Sequence, residues 1–420
     1  MKNGFRVCQG VMVAGVVWSM SVSPVWADNI RDRQWWISAM NIDKSLLISR
    51  GAGVKICLID SGVDTKHPDL QGVKFAGGKD MTGGGSPDGL QPHKNLVGDH
   101  GTGMAVNIAG RGHGPNGSEG MLGAAPDAEI MSISFGSAPP GPDPVTEGIK
   151  YCTDSGAKVI SLSLSGATNG IDAAISYAQS KDVAIVAATG NEGDQLFGGW
   201  TEQFGVLLVG GVDKNLKRDK KSNFGKPNSN SLMGVYSQGV GVCGPFSASS
   251  EPRVEIPQAI PGGGYKMSSG TSVATAVVAG VVAAVRSKHP DLDAANVINR
   301  VIKTAQKSGS GDVPNADCGW GVVDADAALT ADVPKVDSNP LGQMDDKSKN
   351  AKRTISGVKS MGVWDPSYQP DAQSPAKPSG PTAISAEPVS GPPVGLIVGV
   401  VGACAALAGG AFWGWRRLRR

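Results

Sequence analysis

The chain has 420 residues, 40% hydrophobic and 18% charged, apolar enough for a sizeable core, which excludes a wholly disordered polypeptide. Its 39 basic and 37 acidic side chains leave a net charge of +2, too weak a field to hold nucleic acid. Glycine reaches 60 residues without a G-X-Y period, which excludes collagen, and six cysteines are too few for a disulfide-built scaffold.

Residues 1–27 read as a signal peptide. Lys2 and Arg6 supply a positive start, residues 11–22 an apolar run, and Val25-Trp26-Ala27 a cleavage site before Asp28. An uncleaved N-terminal anchor is the alternative, and the shortness of the apolar run argues against it. Residues 28–50 form an N-terminal extension, and residues 51–330 form a body the size of one large domain.

In the body, strand-length apolar runs at 54–59, 129–134, 158–164, 183–187 and 206–209 alternate with helical patterns at 102–109, 144–152 and 170–181. That alternation predicts an α/β fold with a mostly parallel central sheet and helices on both faces. Ligands of such sheets sit at the carboxyl ends of the strands.

Four polar positions fall at such places. Asp60 closes the first strand, where an Asx-turn would also suit it. His100 opens His100-Gly101-Thr102-Gly103 ahead of a small apolar helix, whereas His67, His93, His113 and His289 lie in turns, loops or at a helix end. Asn191 lies in Thr189-Gly190-Asn191-Glu192-Gly193 after the strand at 183–187; it is a turn residue by composition, or an amide donor to an oxyanion. Ser272, in Gly270-Thr271-Ser272-Val273-Ala274, opens a long run of small apolar residues. Ser or Thr there is ordinarily an N-cap, but a serine hydroxyl at a helix N-terminus can also act as a nucleophile, since the dipole favours negative charge beside it.

Residues 331–393 hold 10 of the 27 prolines and read as a linker with no core of its own. Residues 394–415 are 22 uncharged residues, about 33 Å as a helix against a bilayer core of ~30 Å. Trp413 and Trp415 close this transmembrane helix, and Arg416, Arg417, Arg419 and Arg420 make 416–420 a basic cytoplasmic tail by the positive-inside rule. The body is then extracytoplasmic on a single-pass cell-membrane protein.

Asp60-Ser61-Gly62-Val63, His100-Gly101-Thr102-Gly103 and Gly270-Thr271-Ser272-Val273-Ala274 resemble, in that chain order, the three active-site signatures of subtilisin-like serine proteases. His67-Pro68-Asp69-Leu70 and the strand at 159–164 are similar to the same family, over about residues 50–330. The resemblance implies a three-layer subtilisin-like fold and acyl transfer on polypeptide substrates, with Ser272 as nucleophile, His100 as base, Asp60 orienting the imidazole and Asn191 holding the oxyanion. It further implies that Leu164, Ser165, Gly166, Ala187, Ala188 and Thr189 line the substrate pocket. No cofactor and no metal is required. The family allows a structural calcium at Asp69, but the distinctive calcium-binding insertion is not evident.

The whole layout is similar to the mycosins, membrane-anchored proteases of actinobacterial type VII secretion, whose N-terminal extension wraps the catalytic domain without inhibiting it. Arg31-Asp32-Arg33-Gln34-Trp35-Trp36 resembles the start of that extension. Partners implied are peptide substrates, the membrane and the type VII machinery.

Four cysteines lie in the exported body, Cys57, Cys152, Cys243 and Cys318, and allow three pairings. Cys57, inside a buried strand, is expected as a free core residue. Two other functions compete. A metal hydrolase would use Asp64, His67, Asp69, His93, Asp99 and His100, but no HExxH or CxxC spacing supports it. A membrane-tethered scaffold would brace a secretion complex with proteolysis secondary.

Overall fold

The computed structural model describes residues 30–93, 99–136, 143–164, 171–196, 203–225, 229–230, 236–237, 239–308, 311–342, 344, 358–360 and 363–364. The expected signal peptide, transmembrane helix and basic tail lie outside these residues, as do Ser165 and Gly166.

Seven strands form the central sheet: β1 (Lys55–Asp60), β2 (Lys74–Asp80), β3 (Glu129–Ser134), β4 (Val159–Leu162), β5 (Ala184–Ala188), β6 (Leu207–Val212) and β7 (Val242–Pro245). Their order is β7-β6-β5-β4-β1-β3-β2, and every pairing is parallel. The order turns at β1: from there the chain builds outward to one side through β3 and β2 and to the other through β4. A crevice opens outside the carboxyl ends of β1 and β4, the place where open α/β sheets bind ligands.

Two helical layers cover the sheet: α1 (His100–Ala109) and α4 (Thr271–Lys288) on one face, α2 (Pro144–Asp154) and α3 (Ile171–Ser180) on the other. Strand alternation sorts the side chains: Ile56, Leu58, Val159, Ala184 and Val186 join the core with α1 and α4. Cys57, Ile59, Ile160, Leu162, Ile185 and Ala187 join the core with α2 and α3. Both faces are buried, so the strands read as continuous apolar runs. Among the described residues α4 alone is long and apolar enough to cross a membrane, and it is the central core helix of the body.

The same alternation overturns the expectation for Cys57. It points toward α2, where Cys152 meets it in a disulfide with a Cα–Cα distance of 5.9 Å. Cys243 of β7 pairs with Cys318 across 5.1 Å.

The N-terminal extension packs on the body, as the mycosin resemblance implies, and so does the start of the linker, against the expectation that it has no core of its own. In the extension, Trp36, Met40 and Ile42 are buried in the α1/α4 core, and Ala325 N–H donates to the Met40 carbonyl. Gln34 exchanges two hydrogen bonds with the backbone of Leu122, and the Arg31 guanidinium donates to the carbonyls of Gly117, Glu119 and Gly120. The start of the linker packs too. Leu341 and Met344 are buried, and Val336 and Asn339 bond to Asn296 and Gly205. Its proline content marked this stretch as extended, but a few apolar and amide side chains suffice to dock it.

Candidate active site

Asp60 is the last residue of β1 and only 4% exposed. Its Oδ1 accepts from the Ser61 N–H at 2.7 Å, and His100 Nδ1 lies 2.9 Å from both carboxylate oxygens. The loop after β1 is pinned to the start of α1 by two further bonds. Gly101 N–H donates to Ser61 Oγ at 3.0 Å and Asp64 N–H to Thr102 Oγ1 at 2.9 Å. Gly101 is required there: a Cβ would stand 2.3 Å from the Gly62 carbonyl oxygen. The imidazole is thus held by its own helix start against the end of the strand carrying its carboxylate.

The His100 side chain is 33% exposed. Burial opposes its protonation, but the charge of Asp60 and the hydrogen bond to it, with a smaller contribution from Asp99, raise its pKa above 6.5 on balance. Lys266, which bonds Asp99 at 2.6 Å, opposes that rise. Lys266 lies in a hairpin of β8 (Ile256–Ile260) and β9 (Gly264–Ser268), immediately before the Ser272 segment.

Ser272 is the second residue of α4, which packs against α1 on the same sheet face. Its Oγ–H donates to the Ser163 carbonyl at 3.0 Å, and Ser163 Oγ–H donates back to the Ser272 carbonyl at 2.9 Å. Among the hydrogen bonds of the described residues, none joins Ser272 Oγ to His100.

Asn191 follows β5. Its Oδ1 accepts from Thr271 N–H at 2.8 Å and from Thr271 Oγ1 at 3.0 Å. With the oxygen so committed, the amide N–H groups project from the other side of the planar group. Asn223 steadies the loop, accepting from the N–H groups of Glu192 and Asp194 and donating to the Thr189 carbonyl.

The expected pocket residues divide. Leu164 is half-buried two residues past the end of β4, and Thr189 is buried two residues before Asn191, its hydroxyl without a partner among the described residues. Ala187 is fully buried in the α2/α3 core and Ala188 is 2% exposed, so neither has surface for a substrate. The strand that carries them simply ends later than expected, at Ala188.

Among the described residues no group of three or more His, Cys, Asp or Glu side chains could hold a metal ion. Asp69, the position at which the family allows calcium, has its oxygens on His113 Nδ1, the Met121 N–H and the Tyr265 hydroxyl. Ser163 and Thr271 were missed as site residues. Ser161 and Ser163, polar at alternate positions of an apolar strand and facing α4, were the available signal for the first; the bland N-cap reading of Gly270-Thr271-Ser272 concealed the second.

A family model described as Subtilase family matches residues 51–321. The chain belongs to the subtilase family. This subtilase is 33% identical over 284 residues to thermitase of Thermoactinomyces vulgaris, a match covering 66% of this chain and 91% of thermitase. The solved structure of MycP1 from Mycobacterium smegmatis is similar with a TM-score of 0.56 and 25% identity, over 79% of this chain and 92% of that one. The MycP3 protease from the type VII (ESX-3) secretion system is similar with a TM-score of 0.54 and 28% identity, over 73% and 90%. The chain is a subtilisin-like serine endopeptidase.

Proposed function

We propose that this subtilase is a membrane-anchored, extracytoplasmic endopeptidase that cuts peptide bonds through Asp60, His100 and Ser272 and serves type VII secretion. The observation carrying the catalytic reading is the Asp60–His100 pair, 2.9 Å apart at the carboxyl end of β1, with the helix of His100 packed against the helix whose second residue is Ser272.

Ser272 Oγ attacks the peptide carbonyl as its proton passes to His100 Nε2. Asp60, bonded to Nδ1, fixes the tautomer that leaves Nε2 free and stabilises the imidazolium that forms. The Asn191 amide and the Ser272 backbone N–H donate to the tetrahedral oxyanion; one such side-chain donor contributes ~10²–10³ in turnover. His100 then protonates the leaving amine, and water hydrolyses the acyl-enzyme by the same route in reverse.

The link to secretion rests on the likeness to MycP1 and MycP3. Anchoring rests on the 22 uncharged residues at 394–415 and the four arginines after them. A fluorophosphonate probe labelling the wild-type protein in membrane fractions, and failing on Ser272→Ala, is the expected result. Undiminished labelling of Ser272→Ala would remove the catalytic assignment, and labelling in the soluble fraction alone would remove the anchor. Restored secretion by Ser272→Ala in a strain lacking the protein would make bracing, not proteolysis, its main role there.

A further inference from the structure

The two serines joined at the crevice are 109 residues apart in sequence, and each donates to the other's backbone carbonyl. Ser163 is 3% exposed and follows the last residue of β4, on the sheet face that α4 covers. Its hydroxyl holds the backbone of Ser272 itself. In return, its carbonyl occupies the Ser272 hydroxyl, which for catalysis must donate to His100. We propose that Ser163 is a positioning residue whose reciprocal bond with Ser272 both fixes the nucleophile's turn and parks its hydroxyl until a substrate backbone takes the Ser163 carbonyl.

The release follows from where that carbonyl lies. It lies one residue past the carboxyl end of β4, bonded to the nucleophile, and an extended peptide held there for cleavage presents a backbone N–H to it. An N–H reaching the Ser163 oxygen competes with Ser272 Oγ–H, and the displaced hydroxyl turns to the imidazole. Peptide recognition is thereby coupled to readiness of the nucleophile. The inference rests on Ser272 being the nucleophile.

Steady-state kinetics of the full-length protein in detergent test it with a peptide substrate and the same peptide N-methylated at the residue before the cut. One lost positioning bond corresponds to about tenfold in rate. Ser163→Ala is expected to lower kcat about tenfold with KM within twofold, an unmoved acid limb and a nearly unchanged Tm. Ser163→Thr, which keeps the hydroxyl, is expected to recover most of the loss. The N-methyl peptide, lacking the releasing donor, should show a similarly reduced kcat on the wild-type protein. Wild-type kcat in Ser163→Ala, a threonine variant no better than alanine, or full turnover of the N-methyl peptide would each overturn the proposal. A Ser272→Ala control retaining activity would instead overturn the site itself.

Discussion

At the scale of single residues, the Asp60–His100 pair fixes the pH behaviour. His100 must be neutral to accept the serine proton, and burial opposed by the larger combined effect of Asp60 and Asp99 raises its pKa above 6.5. The acid limb of kcat/KM is therefore expected above 6.5. Asp60→Asn should move that limb downward while lowering kcat by ~10⁴, as mis-set tautomers do; a limb that stays in place would mean that Asp60 does not govern the imidazole. The same raised pKa has the opposite sign for stability. The pair stabilises the fold fully below pH 6.5, and this contribution fades as pH climbs through the folded value of His100. Ser272→Ala and His100→Ala should each abolish nearly all peptidase activity, by about 10⁵-fold or more, and the double variant should lose little beyond either, since the groups act as a unit. Multiplicative losses in that cycle would show the two side chains working independently.

Among the elements, helix α1 is the tightest fit. Gly101→Ala would press a methyl group into the Gly62 carbonyl and lift His100 from Asp60. The expected result is a fall in kcat disproportionate to the fall in Tm, read by comparing the two in one variant. The Cys57–Cys152 bridge ties β1 to α2 and closes 95 residues. Replacing both cysteines by alanine should cost about 2–4 kcal/mol and lower the Tm, with the gap to wild type closing in reductant. Much of this was legible in the sequence. Residues 129–134 form β3 as expected, because a strand buried on both faces is written as an unbroken apolar run. Strand β2 was not legible: Lys-Phe-Ala-Gly-Gly-Lys-Asp is a half-exposed edge, and Gly78 is there because a Cβ would lie 1.7 Å from the Ser132 carbonyl oxygen. Asp60, His100 and Ser272 stood out by their signatures. Ser163 did not, since a serine bonding to a backbone 109 residues away leaves no local pattern. Cys57 misled for a related reason: burial within a strand says nothing of which helix crosses that face.

For the whole molecule, the boundary between body and tether decides what can be cut away. The sequence places it at residue 330, and the packing places it beyond 344. Asn296 holds both the carbonyl and the N–H of Val336, Asn299 donates to the Pro334 carbonyl, and Asn339 donates to Gly205. Arg300 reaches the carbonyls of Ala328 and Ala331. Leu341 and Met344 are 5% and 7% exposed, and burying two such side chains contributes up to about 3–6 kcal/mol before the cost of ordering the strap. A chain spanning 28–330 would leave those donors and the apolar seat under residues 341–344 facing water. A chain spanning 28–344 keeps them covered. The shorter chain is expected to melt several degrees lower and to aggregate at concentrations where the longer one stays monomeric, with similar kcat per folded molecule, because the strap docks on α3, α5 (Ala294–Lys303) and the loop at Gly205 and not on the catalytic side chains. Melting curves and light scattering of the two proteins, prepared side by side, decide the matter. Equal stability would mean that residues 331–344 rest on the surface without holding it.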